Sequence, residues 1–362
     1  MIHTFELTKD ISQDEYETIS KQLGAITYVN KTAVYRGLYT NGITVFFSKN
    51  IYNKAPECIR IKYQISPSRL TGSRNHLALY EYSRDDRITE KINELLMSKS
   101  HHLPCVEQCL LSRCDFTFDT RWENEDMAKS YIRLLNRAYI PNGFERYMIY
   151  SKSGKRTIPS KNDFNIYIQN KINIDIYNKK EAMKDHNKKS RKALRYTQDE
   201  LDCASGIIRF EIRCMGSIMR KLCENKKANT LEKFLESSSY ICDELFSYYF
   251  KRIFGKGFFH TLNDAIYEIN NSGFYKNTKA ELVDFLKTAN EKRSINKAFE
   301  QMKYTTEKDK KCLLSAFDKI HLGYITVPGR MKKILLCPVP SPYILYCEYG
   351  NKQLVFDNIP NT

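Results

Sequence analysis

Polar and apolar residues alternate with a period of two in five stretches of the chain. Successive side chains of a β-strand point to opposite faces, so residues two apart share a face and each stretch predicts a half-buried strand. The five strands are expected at residues 57–66, 110–119, 164–169, 172–179 and 205–214. Strands of this kind favour a central, mainly antiparallel β-sheet with flanking helices on its apolar face, which is an α+β fold.

Helical periodicity occupies much of the remaining chain. Single helices are expected at about residues 75–97, 125–138 and 179–195. A mostly helical region follows from 216 to about 322, and strand-like runs broken by Pro and Gly return at 323–358. The pattern therefore predicts a sheet-containing domain, residues 1–216, and a helical C-terminal domain with terminal strands, residues 217–362.

Composition adds a strong positive charge to this picture. The chain has 362 residues, of which 58 are Lys or Arg and 42 are Asp or Glu, so its formal net charge is +16. Hydrophobic residues at 42% and charged residues at 28% are ordinary for a folded protein and argue against wholesale disorder. A positive excess of this size is typical of proteins that bind a polyanion, and nucleic acid is the leading candidate.

Three further features of the sequence bear on where the chain acts. No stretch approaches the ~20 uncharged apolar residues that a membrane span needs. The first ten residues lack the basic and apolar regions of a secretory signal. The eleven cysteines form no Cys-x-x-Cys pair, which favours reduced thiols packed as small apolar side chains. We therefore expect a cytoplasmic protein that does not enter a membrane.

The polar faces of the predicted strands carry the groups that covalent cleavage of a phosphodiester requires. That reaction needs a hydroxyl nucleophile, a divalent cation held by carboxylates, and cationic groups that neutralise the developing charge. Tyr177 is the candidate nucleophile, and Lys179, on the same predicted face, is the candidate contact to the phosphate or the phenolate. The candidate ligands of Mg²⁺ or Mn²⁺ are Asp115, Asp119 and Glu211.

Basic residues surround this constellation. The strands place three arginines on the same predicted face, namely Arg113, Arg209 and Arg213. The predicted helix over 179–195 begins directly after Tyr177 and is expected to follow DNA phosphates, with a strong salt dependence. Its candidate DNA contacts are Lys180, Lys188, Lys189, Arg191 and Lys192.

The same patterns allow blander interpretations. The polar face is equally consistent with a solvated sheet surface whose opposite charges pair across strands, each pair contributing about 0.2–1 kcal/mol. Tyr167 and Tyr196 are alternative nucleophiles, and as packing or stacking residues they need no catalytic role.

Several motifs, taken in order and spacing over about residues 55–215, carry a family resemblance. They are Ser66-Pro67-Ser68-Arg69-Leu70 with Gly72 and Asn75, Leu103-Pro104-Cys105, Ser112-Arg113-Cys114-Asp115 through Phe118, Tyr177-Asn178-Lys179-Lys180-Glu181, and Ala204-Ser205-Gly206-Ile207-Ile208-Arg209-Phe210-Glu211-Ile212-Arg213. With them the chain resembles the replication proteins of filamentous phages, the gene II/gene X family, and their plasmid relatives. The last motif is the most specific of the set.

The resemblance implies an enzyme that nicks one strand of a double-stranded origin and stays joined to the 5′-phosphate through a tyrosine, here Tyr177. The free 3′-hydroxyl then primes rolling-circle synthesis, and the protein later rejoins the displaced strand. Arg69 and Asn75, which lie in a matching motif, become candidate DNA contacts. Host helicase and polymerase become expected partners in the host cytoplasm. The helical C-terminal region lies beyond the resemblance, and its own helical pattern makes it a candidate for DNA recognition.

One departure from related initiators bears on the metal. Many rolling-circle initiators carry a His-hydrophobe-His motif, whereas His101 and His102 are adjacent here, so on a strand they point to opposite faces. A metal held by carboxylates is therefore expected, with Asp115 and Glu211 ranked above Asp119. Three rival functions stay open: a plasmid-transfer relaxase of similar chemistry, a non-catalytic origin-binding protein, and a metal-dependent nuclease that activates water.

Overall fold

A computed structural model gives the fold of this chain. It describes residues 1–24, 26–29, 32–49, 58–73, 75, 77–147, 149–150, 156–157, 163–189, 195–329, 335–336, 345–349 and 352–356. Within that part, the strands are β1 (Ile2–Ile11), β2 (Ile26–Val29), β3 (Thr32–Tyr35), β4 (Ile43–Lys49), β5 (Ile59–Ile65), β6 (Leu110–Arg121), β7 (Glu145–Arg146), β8 (Ile149–Tyr150), β9 (Arg156–Thr157), β10 (Asp163–Ile168), β11 (Ile172–Asn178), β12 (Ile207–Met215), β13 (Leu335–Leu336), β14 (Leu345–Tyr349) and β15 (Lys352–Phe356).

Ten of these strands form one sheet in the order β2-β3-β4-β5-β1-β6-β12-β11-β10-β7. Every neighbouring pair in the sheet runs antiparallel. The strands β8 and β9 pair with each other, and β13, β14 and β15 form a separate three-stranded sheet. The predicted antiparallel sheet is therefore confirmed, and the five strands with alternating faces are joined in it by β1 to β4 and by β7.

Helices connect and follow the strands, as the α+β prediction requires. The helices are α1 (Gln13–Leu23), α2 (Pro67–Leu70), α3 (Ile88–Met97), α4 (Glu125–Leu135), α5 (Lys179–Lys189), α6 (Gln198–Cys203), α7 (Gly216–Asn225), α8 (Leu231–Glu236), α9 (Ser238–Phe254), α10 (Leu262–Asn271), α11 (Lys276–Lys292), α12 (Ile295–Gln301) and α13 (Glu307–Lys319). No helix in these described stretches combines the length and the apolar character that crossing a membrane requires.

The apolar face of the sheet is covered by α9, which supplies an aromatic row at every fourth residue. The ring pairs and their centroid distances are Phe118–Phe246 at 4.6 Å, Phe210–Phe250 at 5.8 Å and Phe164–Phe254 at 5.4 Å. The predicted domain boundary near residue 216 coincides with the end of β12 and the start of α7. The apolar core continues across that boundary, because the sheet and α9 bury their aromatic residues against each other.

The predicted helix over residues 75–97 is wrong in its first half, because only Ile88–Met97 is helical. Tyr80 instead exchanges two backbone hydrogen bonds with Ile2, which extends the chain alongside β1. Arg87 then adopts a left-handed backbone conformation, with φ of 49°, and the helix begins only after it. Of the helix predicted over 179–195, the structure describes α5 as far as Lys189.

Candidate functional site

The strand register aligns the predicted site residues in three rows across the polar face, which is the sheet face opposite α9. The rows are Asp119–Arg209–Tyr177, Thr117–Glu211–Asp175 and Asp115–Arg213–Asn173, each crossing β6, β12 and β11. Directly opposed side chains have their Cβ atoms about 4.5–5.5 Å apart. The polar face therefore places Tyr177 and Asp119 beside Arg209, and Asp115 beside Arg213, with Glu211 in the row between them.

A histidine that the sequence did not single out joins two of the predicted ligands. Donor atoms of His3, Asp115 and Glu211 all lie within 4.8 Å of one another. The His3 Nδ1 atom is 3.4 Å from a Glu211 carboxylate oxygen. That nitrogen is buried and forms no hydrogen bond within the described part of the protein. We call these three residues the carboxylate–histidine cluster.

Two arginines hold the carboxylates of this cluster. Arg113 donates to both oxygens of Asp115, with N···O distances of 2.8 and 2.5 Å. Arg213 bridges the two acids, donating to Asp115 at 3.1 Å and to Glu211 at 3.0 Å. The positive charges of the two arginines thus offset part of the repulsion between the neighbouring carboxylates.

Burial and these neighbours set the protonation of the cluster. Burial, together with the charge of Glu211, raises the pKa of Asp115. Burial also opposes ionisation of Glu211, but contact with His3 and the charges of Arg213 and Arg209 outweigh it and lower the pKa of Glu211 to about 2. Burial lowers the pKa of His3, which favours the neutral imidazole with a free electron pair.

The residues of the cluster fit a divalent cation. Two carboxylates supply hard oxygen ligands of the kind that Mg²⁺ and Mn²⁺ prefer, and a neutral imidazole nitrogen is tolerated better by Mn²⁺ than by Mg²⁺. The fit rests on the donor set, because the buried Nδ1 atom of His3 and one oxygen from each carboxylate lie close enough together to share one ion. Asp115 and Glu211 are the two carboxylates that the sequence ranked highest for this role.

Asp119, the third predicted metal ligand, lies elsewhere. It is four residues from Asp115 on the same strand, a separation of about 13 Å at the rise of a β-strand. Both of its carboxylate oxygens accept hydrogen bonds from Arg209, at 2.8 and 2.7 Å. One ion is too small to contact both Asp115 and Asp119, so the prediction that all three acids hold one ion needs correction. His3 replaces Asp119 in the set.

Arg209, predicted to contact DNA, is fully buried beneath the polar face. Besides its two bonds to Asp119, it donates to the Leu77 carbonyl at 3.0 Å, while its Nη1 atom has no partner among the described residues. Burial opposes its charge, yet the Asp119 carboxylate raises the pKa of Arg209 above its ordinary value. Its charge therefore acts on neighbours through the interior and not by surface contact.

The predicted nucleophile and its lysine lie beside this buried pair. Burial raises the pKa of Tyr177 well above its ordinary value, and the charge of Glu211 adds to the effect. Lys179 is the first residue of α5 and is 8% exposed. Burial and the charge of Arg209 lower its pKa to about 7, so a neutral amine is available near neutral pH. Such an amine can take a proton from a nearby hydroxyl.

A cleft of about 250 Å³ opens on the polar face beside these residues. Its lining joins His3 of the cluster with Lys179 and with Arg69 and Asn75, two of the predicted DNA contacts. No carboxylate is among the described residues that line it. The alternative nucleophile Tyr196 lines the cleft as well, whereas Tyr167 donates to Glu145 at 3.0 Å at the far edge of the sheet.

The basic helix is less free than its sequence indicates. Lys180 pairs with Asp202 at 2.9 Å, and Lys188 pairs with Asp185 at 2.8 Å. Arg191, Lys192 and the side chain of Lys189 lie outside the described residues. The prediction that this helix follows DNA phosphates stays a prediction.

The sequence alone does not show that His3 shares a sheet face with Asp115 and Glu211, and the reason is physical. The pairing of β1 with β6 shifts register between Ile2 and Thr4, which is a β-bulge. A bulge breaks the period of two, so alternation along residues 2–11 does not reveal which face His3 shares. The only signal was its chemistry, a histidine near the start of a strand.

The chain matches no protein-family model, no curated protein and no solved structure. The resemblance to filamentous phage replication proteins therefore stays a prediction.

Proposed function

We propose that this chain is a metal-dependent, strand-specific DNA nickase and rejoining enzyme that initiates rolling-circle replication of a phage or plasmid in the host cytoplasm. The observation that carries the proposal is one cleft whose lining includes His3, a member of the carboxylate–histidine cluster, and Lys179, two residues after Tyr177. The cleft contains Arg69, Lys179 and His3 and has no carboxylate in its described lining, which suits an anionic substrate.

In this proposal Tyr177 is the nucleophile. Its hydroxyl oxygen forms a bond to the scissile phosphorus, and the bond from phosphorus to the 3′-oxygen breaks. The phenolic proton passes to the neutral amine of Lys179, and the departing 3′-oxygen takes up a proton from solvent water to become the free 3′-hydroxyl. Rejoining runs the same steps in reverse, with a 3′-hydroxyl attacking the phosphotyrosine, so no external energy source is needed.

His3, Asp115 and Glu211 would hold Mn²⁺ or Mg²⁺ in this enzyme. When bound, such an ion stabilises the negative charge that develops on phosphate oxygens. Arg113 and Arg213 orient the two carboxylates toward each other. Arg209 lies across from Tyr177 in the strand register, where its positive charge offsets part of the effect by which burial disfavours the phenolate.

A second candidate function is favoured by the position of Tyr177 itself. Tyr177 is not among the residues that line the cleft, whereas His3 and Lys179 are. A nuclease that activates water at the carboxylate–histidine cluster would need the cleft and would leave Tyr177 as a packing residue. Tyr196, which does line the cleft, is the alternative covalent nucleophile.

The test compares wild type with Tyr177→Phe and Tyr196→Phe on labelled single-stranded and supercoiled DNA from the replicon that carries the gene. Each protein is incubated with Mn²⁺, Mg²⁺ or EDTA and then denatured. We expect a metal-dependent label on the protein that is lost in Tyr177→Phe and kept in Tyr196→Phe. Nicking without an adduct, unaffected by either change, would replace the proposal with a hydrolytic nuclease. Binding without cleavage would favour a non-catalytic origin-binding protein.

A further inference from the structure

The cleft has a second chemical character besides its positive charge. Its floor is formed by neutral polar residues of three adjacent strands, Thr4 of β1, Gln64 of β5 and Thr44 of β4. Thr44 and Gln64 are directly opposed in the β4–β5 register. An amide and hydroxyls at this spacing offer both donors and acceptors to a planar polar ligand.

Aromatic rings complete the walls of the cleft. Tyr39 and Tyr196 both line it, and the Arg69 guanidinium lies 5.0 Å from the centre of the Tyr39 ring. Rings and guanidinium planes are the surfaces on which unpaired bases stack. The cationic residues Lys179 and His3 lie in the same lining. The occupant indicated by this lining is anionic and also carries a flat, hydrogen-bonding group.

The backbone fixes one wall closely. Gly42, at the start of β4, has a φ of 85°, and a Cβ atom there would lie 2.6 Å from the Ser66 carbonyl oxygen. This close approach packs the turn that carries Tyr39 against Ser66, the residue before α2. Arg69 lies within α2. The stacking and charged residues are therefore held on a rigid frame, as a preformed binding site requires.

We propose that this cleft binds one unpaired nucleotide of the DNA strand, next to the phosphate that is processed at the carboxylate–histidine cluster. The base stacks on the aromatic wall and its edge is read by Gln64 and Thr44. This inference rests on the proposed function and adds to it a site of base recognition. It requires the strand to be unpaired locally, because a paired base presents neither its stacking face nor its Watson–Crick edge.

The test measures binding in EDTA, so that no cleavage occurs. The probes are fluorescent dT10 and dC10 and an abasic chain of ten deoxyribose phosphates, which has the same charge and no bases. We expect wild type to bind dT10 or dC10 at least about tenfold more tightly than the abasic chain, as base stacking on protein rings commonly provides. Gln64→Leu and Tyr39→Leu should reduce this ratio several-fold and leave the affinity for the abasic chain nearly unchanged.

Thr8→Val serves as the matched control. Thr8 lies on the polar side of β1 and is not among the residues that line the cleft. Its hydroxyl donates to the Leu110 carbonyl, so its replacement should change neither affinity. The proposal that the cleft binds a base would be overturned if wild type bound dT10, dC10 and the abasic chain equally, or if neither variant changed the ratio of these affinities. Equal affinity for free thymidine monophosphate and dT10 would overturn its assignment to a DNA strand.

This outcome is independent of the covalent chemistry. If the protein forms no adduct through Tyr177 but binds dT10 more tightly than the abasic chain in EDTA, the base-binding pocket is retained and the nickase is rejected. A protein that forms the adduct but binds the abasic chain as tightly as dT10 would retain the nickase and reject the pocket.

Discussion

Two groups of charged residues on the polar face differ in how their carboxylates are paired. The Arg209–Asp119 pair is closed, because both carboxylate oxygens accept from the guanidinium and the pair is buried. The carboxylate–histidine cluster is open, because its acids share two arginines and the Nδ1 atom of His3 accepts or donates no hydrogen bond among the described residues. Both groups lie on β6 and β12, where Asp115 and Asp119 are about 13 Å apart by strand rise.

The difference comes from the third strand that reaches each group. At Asp115, the bulged β1 supplies His3, and the two arginines that pair with the buried acids are themselves partly exposed. At Asp119, a single buried arginine satisfies the carboxylate completely. An acid on an alternating strand is therefore a structural group or a candidate ligand according to its neighbours across the sheet and not according to its own sequence.

The largest effect that this comparison predicts is the loss of stability in Asp119→Asn. The neutral amide removes the counter-charge of a fully buried guanidinium, and leaving one member of a buried ion pair alone costs about 3–5 kcal/mol. Urea denaturation should show the free energy of unfolding reduced by that amount. If Asp119→Asn left stability unchanged but abolished Mn²⁺ binding, the assignment of Asp119 to the closed pair would be wrong.

A double variant sharpens this test. Asp119→Leu combined with Arg209→Met removes both charges, and replacing a buried ion pair by apolar residues is often close to neutral. We expect the double variant to regain much of the stability lost in Asp119→Asn. A double variant as unstable as the single one would mean that the polar contacts of Arg209, such as the Leu77 carbonyl, carry the stability.

The next effect concerns the open group and its metal. At a Mn²⁺ concentration of 100 times Kd, a single site stabilises the folded protein by about 2.7 kcal/mol. We expect such a rise for wild type in urea denaturation, and its loss in His3→Ala and Glu211→Gln. Asp10→Asn, which alters a half-exposed acid paired with Arg60 on the same sheet face, is the matched control and should keep the rise. A rise retained in Glu211→Gln would contradict the cluster.

The sequence predicts much of this arrangement and misses its decisive contacts. Period-two alternation predicts correctly that Asp115, Glu211 and Tyr177 share a face, because that property depends only on local strand geometry. It does not reveal the register between strands, which sets Arg209 opposite Asp119, nor the bulge that carries His3 to the cluster. Register and bulges arise from contacts between segments far apart in the chain, so no window of sequence contains them.

The pH dependence of stability reports on Lys179, whose pKa is lowered by burial and in part by the charge of Arg209 in the closed pair. Its pKa is about 7 in the fold against an ordinary 10.5, so between these values the unfolded chain binds a proton that the folded protein does not. Stability contributed by this residue therefore rises with pH across that window, by at most about 1.4 kcal/mol per pH unit, and is lost as pH falls toward 7.

Lys179→Met removes that dependence. The variant should be more stable than wild type by about 2 kcal/mol at pH 7 relative to the difference at pH 9. Urea denaturation of both proteins at the two pH values measures it. A difference that does not change between pH 7 and pH 9 would mean that Lys179 keeps an ordinary pKa, and its proposed role as proton acceptor for Tyr177 would lose its support.

The smallest effect lies between the two groups, at Thr117. This residue is fully buried, and its hydroxyl has no hydrogen-bond partner within the described chain. Thr117→Val keeps the shape and removes an unsatisfied polar group, so we expect an increase in unfolding free energy of up to about 1 kcal/mol. Thr120→Val, on the same strand, removes a hydroxyl that accepts from Trp122 at 3.2 Å and should lower stability by about 1 kcal/mol. If Thr117→Val instead reduced the Mn²⁺-induced rise, the open group would extend to Thr117, and the boundary between the two groups would lie between Thr117 and Asp119.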